Sequence, residues 1–290
     1  VGKTAIAANV FLAMAMHERI KANVLLVDLD PQHNLSQVIL PEGQLDELQS
    51  VEKTLSAAFE PGNFTNAPSP TKDYTVLSAD KDYRPPAVSD LRWYVAHDRV
   101  LGSYDVVCGD VSIGKYTLPH PGPDQLLRCK ERFAAFIAEA RLQYDLVVID
   151  CNPSFSFLTM CALEVCTHTL SPVTPDPFAM RGLTAFRSMT EALYPHLVPE
   201  RLIVMNRVRR SAAPSDVETQ IKESPISGRG LLSARIAESA FMRPQAGDVA
   251  YANPLDALAR IRGGNGAAEI HAELDGVAIE IAERLGLLKP

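Results

Sequence analysis

No apolar run in the 290-residue chain approaches the roughly 20 residues a membrane span needs, and no signal peptide is visible. Five cysteines are present (Cys108, Cys129, Cys151, Cys161 and Cys166), but no two form a C-x-x-C pair. That spacing argues against a structural zinc site or a thioredoxin-type motif and for reduced, buried thiols. The chain also has no coat of positive charge, since its formal net charge is −7. Neither an internal repeat nor a low-complexity tract interrupts it. With 47% hydrophobic and 22% charged residues, the remaining class is an ordinary cytoplasmic globular protein with a sizeable core.

Charge is distributed unevenly. Residues 181–262 hold 12 basic and 8 acidic side chains and form the only basic block. It reads equally well as a solvated arginine surface or as an anion-binding face.

Strand and helix signals alternate along the chain, the pattern of a mostly parallel sheet with helices on both faces. Thr4 to about His17 reads as a buried helix, and "VLLVDLD" as a buried strand ending in carboxylates. A strand is expected near Tyr74–Leu77 and a helix around Val88–Arg99, with Trp93 and Tyr94 on it as core or interface residues. Residues 41–72 and 101–123, broken by glycine and proline, read as surface excursions. "ERFAAFIAEARLQ" is an amphipathic helix, and "YDLVVIDCNPS" a second buried strand ending in an acid. Further strands at about 167–172, 202–206 and 231–236 give a sheet of six or more, in a single domain over 1–290.

The chemistry is expected at the carboxyl ends of these strands. The chain opens on "VGKTAIAANV", and Gly2-Lys3-Thr4 is how a phosphate-binding loop ends. The beginning of that loop and an initiator methionine are both missing, so the chain reads as a fragment whose first strand and leading glycines lie upstream. In such a loop Lys3 reaches the terminal phosphates and Thr4 gives its hydroxyl to Mg²⁺. Alone, Gly-Lys-Thr is also an ordinary exposed turn. Asp150, after "LVVI", strengthens the case, because an acid there anchors a metal-bound water; its plain alternative is a helix cap. Asp28 and Asp30 stand two apart on an otherwise apolar strand, an arrangement that costs energy unless a cation or water separates them.

Taken together, these segments resemble the ParA/MinD family of deviant P-loop ATPases. "VDLDPQHNLS" is similar to the partition branch, "YDLVVIDCNPS" to the second switch, with Asn152 in place of a usual proline, and "PVTPDPFAMRGL" to the segment after the next strand. "VMNRV" places Asn206 where the family reads adenine, and "SARIAESAFMRPQAGDVAYANP" has the shape of the late segment before the last helices. Ala5 stands where a second Thr or Ser is commoner.

The resemblance implies a doubly wound P-loop fold and slow hydrolysis of Mg-ATP. Gly2, Lys3, Thr4, Ala5 and Asn206 would hold the nucleotide, Thr4 would bind Mg²⁺ with Asp28 and Asp150 in support, and Asp30 would orient the attacking water. It implies an ATP-dependent homodimer, nonspecific DNA binding, a centromere-binding ParB-like activator, and a cytoplasmic, nucleoid-associated protein; the basic block offers Arg207, Arg209 and Arg210, directly after the Asn206 strand, for the DNA phosphates. The alternatives are a MinD-like or cargo-positioning ATPase and a metal-cluster carrier. The C-terminal helix weighs against a membrane anchor: Ile270, Leu274, Val277, Ile281 and Leu285 form a core stripe, opposed by Glu269, Glu273, Asp275, Glu280 and Glu283 rather than by lysines. Cys151 has no partner thiol at cluster spacing. His33 reads as a loop histidine, whereas Gln32 stands beside Asp30 and could hydrogen-bond the water or a partner.

Overall fold

A computed structural model describes residues 2–61, 77–118, 122–209, 216–239 and 267–289, apart from positions 42, 79, 153, 177, 198 and 226, together with Met242. All of the expected strand at Tyr74–Leu77 except Leu77, and most of the late segment after Glu238, lie outside the described residues.

The first helix, α1 (Lys3–Met16), is built from Ala, Met, Leu and other residues without a breaker and is buried on all sides from Ile6 to Ala15. It leads into β1 (Asn23–Asp28), whose side chains alternate between two cores. Val24 and Leu26 face α1 and the C-terminal helix, while Leu25 and Val27 face a second cluster with Phe133, Phe136 and Leu158. Helices on both faces make this a doubly wound α/β fold.

After β1 come α2 (Asn34–Ile39), α3 (Gln44–Ser50) and a 3₁₀ turn at Leu55–Ala58. The helix expected over Val88–Arg99 is only the turn α4 (Val88–Leu91); Arg92–His97 is strand β2. Trp93, Tyr94 and Val95 are strand formers, and β2 pairs antiparallel with β3 (Ser103–Val107). Trp93 packs against the core and Tyr94 is exposed, so both sit on a sheet edge and not on a helix.

Strand β3 also corrects the reading of 101–123 as a surface excursion, because it pairs parallel with β1 along its whole length. Asp105 hides it in the sequence by interrupting the apolar run. In the fold that carboxylate is buried and satisfied: His97 Nε2 lies 2.6 Å from Oδ1, and the Tyr144 hydroxyl donates to Oδ2 at 2.6 Å. On the opposite face Tyr104 donates its hydroxyl to the Ala8 carbonyl of α1 at 2.9 Å. A 3₁₀ segment, Val111–Thr117, comes next.

The remaining elements are α5 (Pro123–Gln143), β4 (Leu146–Asp150), α6 (Phe157–Val165), β5 (His168–Val173), α7 (Ala179–Leu193), β6 (Glu200–Val208), α8 (Asp216–Glu223), β7 (Leu231–Ala237) and α9 (Ala267–Leu285). Among the described residues the strands form two hydrogen-bonded sets, β2-β3-β1-β4 and β5-β6-β7, parallel except for β2.

The stripe of α9 is buried as its spacing predicts, but its acidic side is not all solvated. The ladder between β6 and β7 shifts register twice, and α9 serves the strand there: Glu280 accepts the N–H groups of Ser233 and Ala234 at 2.9 and 2.8 Å, and Glu273 that of Ala237 at 2.8 Å. No helix among the described residues is long and apolar enough to cross a membrane.

Candidate functional site

The carboxyl ends of β1, β3, β4 and β6 converge on the start of α1. Gly2 caps that helix in the left-handed region, with φ 87°, and makes no side-chain cap bond to its first turn, which also holds no acid. A side chain at position 2 would be strained by that φ, and its Cβ would fall 2.3 Å from the Asn206 side-chain nitrogen. The backbone conformation therefore favours glycine, and any larger residue would also have to displace the Asn206 amide. The result is a helix N-terminus with open donors, flanked by Lys3, the arrangement that receives an anion.

Thr4 turns its hydroxyl to the end of β4 and donates to Asp150 Oδ2 at 2.9 Å. Asp28 and Asp150 are register partners at the ends of adjacent parallel strands. Asp30 lies beyond the end of β1: the Leu29 N–H still bonds to the Asp150 carbonyl, and the chain then turns, with Asp30 Oδ1 accepting the Gln32 N–H at 2.9 Å. The two aspartates thus have different surroundings, although the strand pattern predicts the same face. Asp28 is fully buried, while Asp30 is half-buried at the open edge.

Burial is the main force on the two enclosed carboxyls. It raises Asp28 to about 7 against hydrogen bonds from Ser36, with Asp150 pushing the same way. Burial also raises Asp150 to about 6; the Thr4 hydrogen bond and the charge of Lys3 oppose this, and Asp30 adds to it. The edge therefore holds two acids, Asp28 and Asp150, that burial penalises in their charged form and that positive charge would relieve.

Asn206 is buried at the end of β6, its Oδ1 accepting the Arg207 N–H at 3.0 Å. Arg207 itself is left-handed, with φ 57°, rare for a residue with a side chain. Gly2, Ala5, Asn206, Arg207 and Glu238 line a cavity of about 20 Å³. The structure thus brings Gly2, Lys3, Thr4, Ala5, Asp28, Asp30, Asp150 and Asn206 to one edge, with Arg207 beside them. Arg209 is exposed just past the strand, and Arg210 lies outside the described residues. A larger cavity, about 210 Å³, lies at the amino ends of β5 and β6 between Leu163, Phe186, Thr190 and Arg201, away from this chemistry. The five thiols are free, and burial together with the Asp150 charge pushes the Cys151 thiol up, which suits a packed side chain.

Two neighbours of the acids have no role in the sequence reading. Ser36 stands inside "VDLDPQHNLS", where no role is assigned to it. Gly109 comes after a strand hidden by Asp105. In the fold both touch Asp28: Ser36 donates its N–H and hydroxyl to Asp28 Oδ2 at 2.8 and 2.6 Å, and a Cβ on Gly109 would lie 3.0 Å from Asp28 Cγ.

An open parallel sheet, a Gly-Lys-Thr helix start and a strand-end aspartate bonded to the threonine define the class of P-loop nucleotide-binding folds. Comparison with known proteins makes the class particular. The solved structure of pNOB8 ParA bound to nonspecific DNA matches with a TM-score of 0.61 and 17% identity over 99% of this chain and 94% of that one. The septum site-determining protein MinD from Pyrococcus horikoshii OT3, complexed with Mg-ADP, matches with a TM-score of 0.55 and 16% identity over 98% and 93%. The family described as AAA domain matches residues 121–202, which include Asp150 but neither the Gly-Lys-Thr start nor the β1 acids. A Rhizobium rhizogenes protein named as a replication protein A is 26% identical over 199 residues, 66% of this chain. That alignment spans 42% of the Rhizobium protein's own length. The fold is that of the ParA/MinD P-loop ATPases, and the resemblance read in the sequence is borne out.

Proposed function

We propose that the protein is a Mg-ATP hydrolysing ATPase of the partition type, acting as a single P-loop domain that dimerises when loaded with ATP and then holds nonspecific DNA. The observation that carries the ATPase reading is the Thr4 hydroxyl on the Asp150 carboxylate at 2.9 Å, beside a helix start with open N–H donors. In this reading the α1 N-terminus and Lys3 bind the phosphates, and Asn206 with Ala5 borders the base.

The donor set fits a divalent cation bound together with phosphate. Among the described residues no three His, Cys, Asp or Glu side chains group to hold a metal alone. One hydroxyl with a neighbouring acid is the protein's usual share of a Mg²⁺ site completed by phosphate and water. Thr4 would be the direct ligand, with Asp150 and Asp28 supporting it through water and hydrogen bonds. Bound there, Mg²⁺ supplies charge neutralisation to the phosphates. Asp30, the less buried acid, orients the attacking water. A plain carboxylate with no stronger base beside it suits slow turnover that a centromere-binding, ParB-like partner accelerates.

The likeness to a ParA solved on nonspecific DNA supports the DNA reading, as does the exposure of Arg209 in the only basic block. The likeness to MinD keeps a positioning role as the second reading. The acids of α9 argue against that helix as its membrane anchor, since Glu273 and Glu280 are committed to β7. Calorimetry on the full-length encoded protein tests the ATPase reading: Lys3→Ala should abolish ATP binding, and normal binding by that variant would remove the phosphate-loop assignment.

A further inference from the structure

We propose that Ser36 is a positioning residue of this site, a latch that holds the Asp28–Asp30 turn and the segment after β3 in fixed relation. The proposal rests on the ATPase reading for its functional consequence and on geometry alone for the latch. Ser36 is fully buried, and its hydroxyl is used twice. It donates to Asp28 Oδ2 at 2.6 Å and accepts the Gly109 N–H at 2.8 Å. Its own N–H bonds to the same carboxylate oxygen at 2.8 Å, so the hydroxyl can swing neither toward solvent nor to another acceptor without stranding a buried group.

The bonds tie three elements, β1, α2 and the end of β3. Gly109 is pressed so closely on the turn that an added Cβ would meet the His33 Cβ at 2.8 Å and the Asp28 carbonyl at 3.0 Å. Beyond Gly109 the chain spans the site. Asp110 is buried and bonds to Thr54 Oγ1 and the Ser112 N–H at 3.1 and 2.7 Å; Gly114 lies against Pro31; and Tyr116 packs on Phe157, at the start of α6, with ring centroids 5.6 Å apart. The segment 109–117 therefore touches the turn after Asp28 on one side and the helix after Asp150 on the other. In the ATPase reading these two stretches flank the phosphates, and Ser36 is where the strut is fastened to the acid.

Removing the hydroxyl leaves Asp28 one bond poorer and the Gly109 N–H without its acceptor. The turn that carries Asp30 then loses its backing, although nothing that grips phosphate is touched. Hydrogen exchange measured residue by residue in the nucleotide-free, full-length encoded protein reads the latch directly. In Ser36→Ala the Gly109 amide should exchange at least tenfold faster while those of Leu25, Leu26 and Val27 stay within twofold of the parent. Ser36→Thr, which keeps the hydroxyl, should restore protection. Gly109→Ala, which forces the strut off the turn but keeps Ser36, serves if Ser36→Ala does not fold, and should loosen the amides of 110–117 in the same way.

In steady-state hydrolysis Ser36→Ala should lose about tenfold in kcat with KM for ATP within twofold. Unchanged exchange at Gly109 in a folded Ser36→Ala protein overturns the proposal, as does a uniform rise in exchange over all of β1 and β3. A fall in kcat matched by an equal rise in KM also overturns it. If the parent protein binds no ATP, the ATPase reading fails instead, and the exchange result alone decides the latch.

Discussion

Thr4 and Asp150, 146 positions apart, meet through one hydrogen bond of 2.9 Å that joins the start of α1 to the end of β4. Thr4→Ala removes the only hydroxyl of the Gly2-Lys3-Thr4 helix start and leaves Asp150 without its stabilising donor. The expected outcome is retention of weak ATP binding through Lys3 and the helix N-terminus, with loss of the increment that Mg²⁺ adds. Titration with ATP in EDTA and in excess Mg²⁺ measures both. The prediction fails if the ratio of the two affinities is unchanged.

The enclosed acids set an unusual pH dependence. Their folded pKa values lie above the ordinary 3.8, at about 7 for Asp28 and about 6 for Asp150, so the folded state holds protons that the unfolded chain has released. Stability from this source is fully present below pH 4 and falls as pH rises toward 7, by up to roughly 7 kcal/mol for the two groups together. Asp28→Asn should flatten that decline and make the nucleotide-free protein more stable than its parent at pH 7.5, as judged by urea midpoints at pH 5 and 7.5. A parallel pair of curves would show that Asp28 is not held protonated by burial. Mg-ATP favours the charged carboxylates, so the decline should shrink when it is added.

The sequence carried the site further than it carried the sheet. Lys3, Asp28 and Asp150 were legible because each ends or begins an element whose apolar run is unbroken, and a charge at such a boundary stands out. Strand β3 was not, because Asp105 sits in its middle; only the fold supplies His97 and Tyr144 to satisfy that acid. The same pairing makes Arg92–His97 a strand where a helix is expected, since a tertiary partner overrides a short ambiguous pattern. Ser36 was visible as a residue but not as a role, because its partner Gly109 lies 73 residues away. The different burial of Asp28 and Asp30 was also invisible, as it depends on where β1 stops.

The acids of α9 are predicted to act through β7. Glu280 accepts two N–H groups where the strand slips register, so Glu280→Ala should cost about 1–3 kcal/mol. Glu280→Gln, which keeps an acceptor, should cost less. Glu283, for which no bond to the strand is seen, is the control: Glu283→Ala should stay within about 0.5 kcal/mol. Equal effects from all three in chemical denaturation would mean that the helix is acidic for solubility alone.

Asp30 differs from its neighbours by standing at the open edge, with one carboxylate oxygen engaged by the Gln32 N–H. Asp30→Ala should therefore bind Mg-ATP as the parent does and hydrolyse it more slowly by about a hundredfold or more, the range one positioned acid–base group contributes. An ATP-loaded dimer should accumulate on size exclusion. Unchanged turnover would move the water-orienting role away from Asp30, and loss of ATP binding would make Asp30 a structural residue of the turn.

The choice between the DNA-partition reading and the protein- or membrane-positioning reading rests on the arginines at and just past the end of β6. Arg207 and Arg209 are both exposed, but Arg207, in the left-handed region at φ 57°, lines the cavity beside Gly2 and Asn206, and Arg209 stands two residues further on. The two should therefore separate in function. Arg209→Ala combined with Arg210→Ala should weaken ATP-dependent DNA binding equally for unrelated sequences and lower the slope of log affinity against log salt by about one unit for each phosphate no longer neutralised. ATP affinity should not change. Arg207→Ala should instead disturb nucleotide affinity first, and DNA binding only through it. A mobility-shift series in ATP and in ADP, run at two salt concentrations, distinguishes these outcomes. DNA binding that ignores the nucleotide, or none at moderate salt in either state, would remove the partition reading and leave positioning of a protein or membrane cargo.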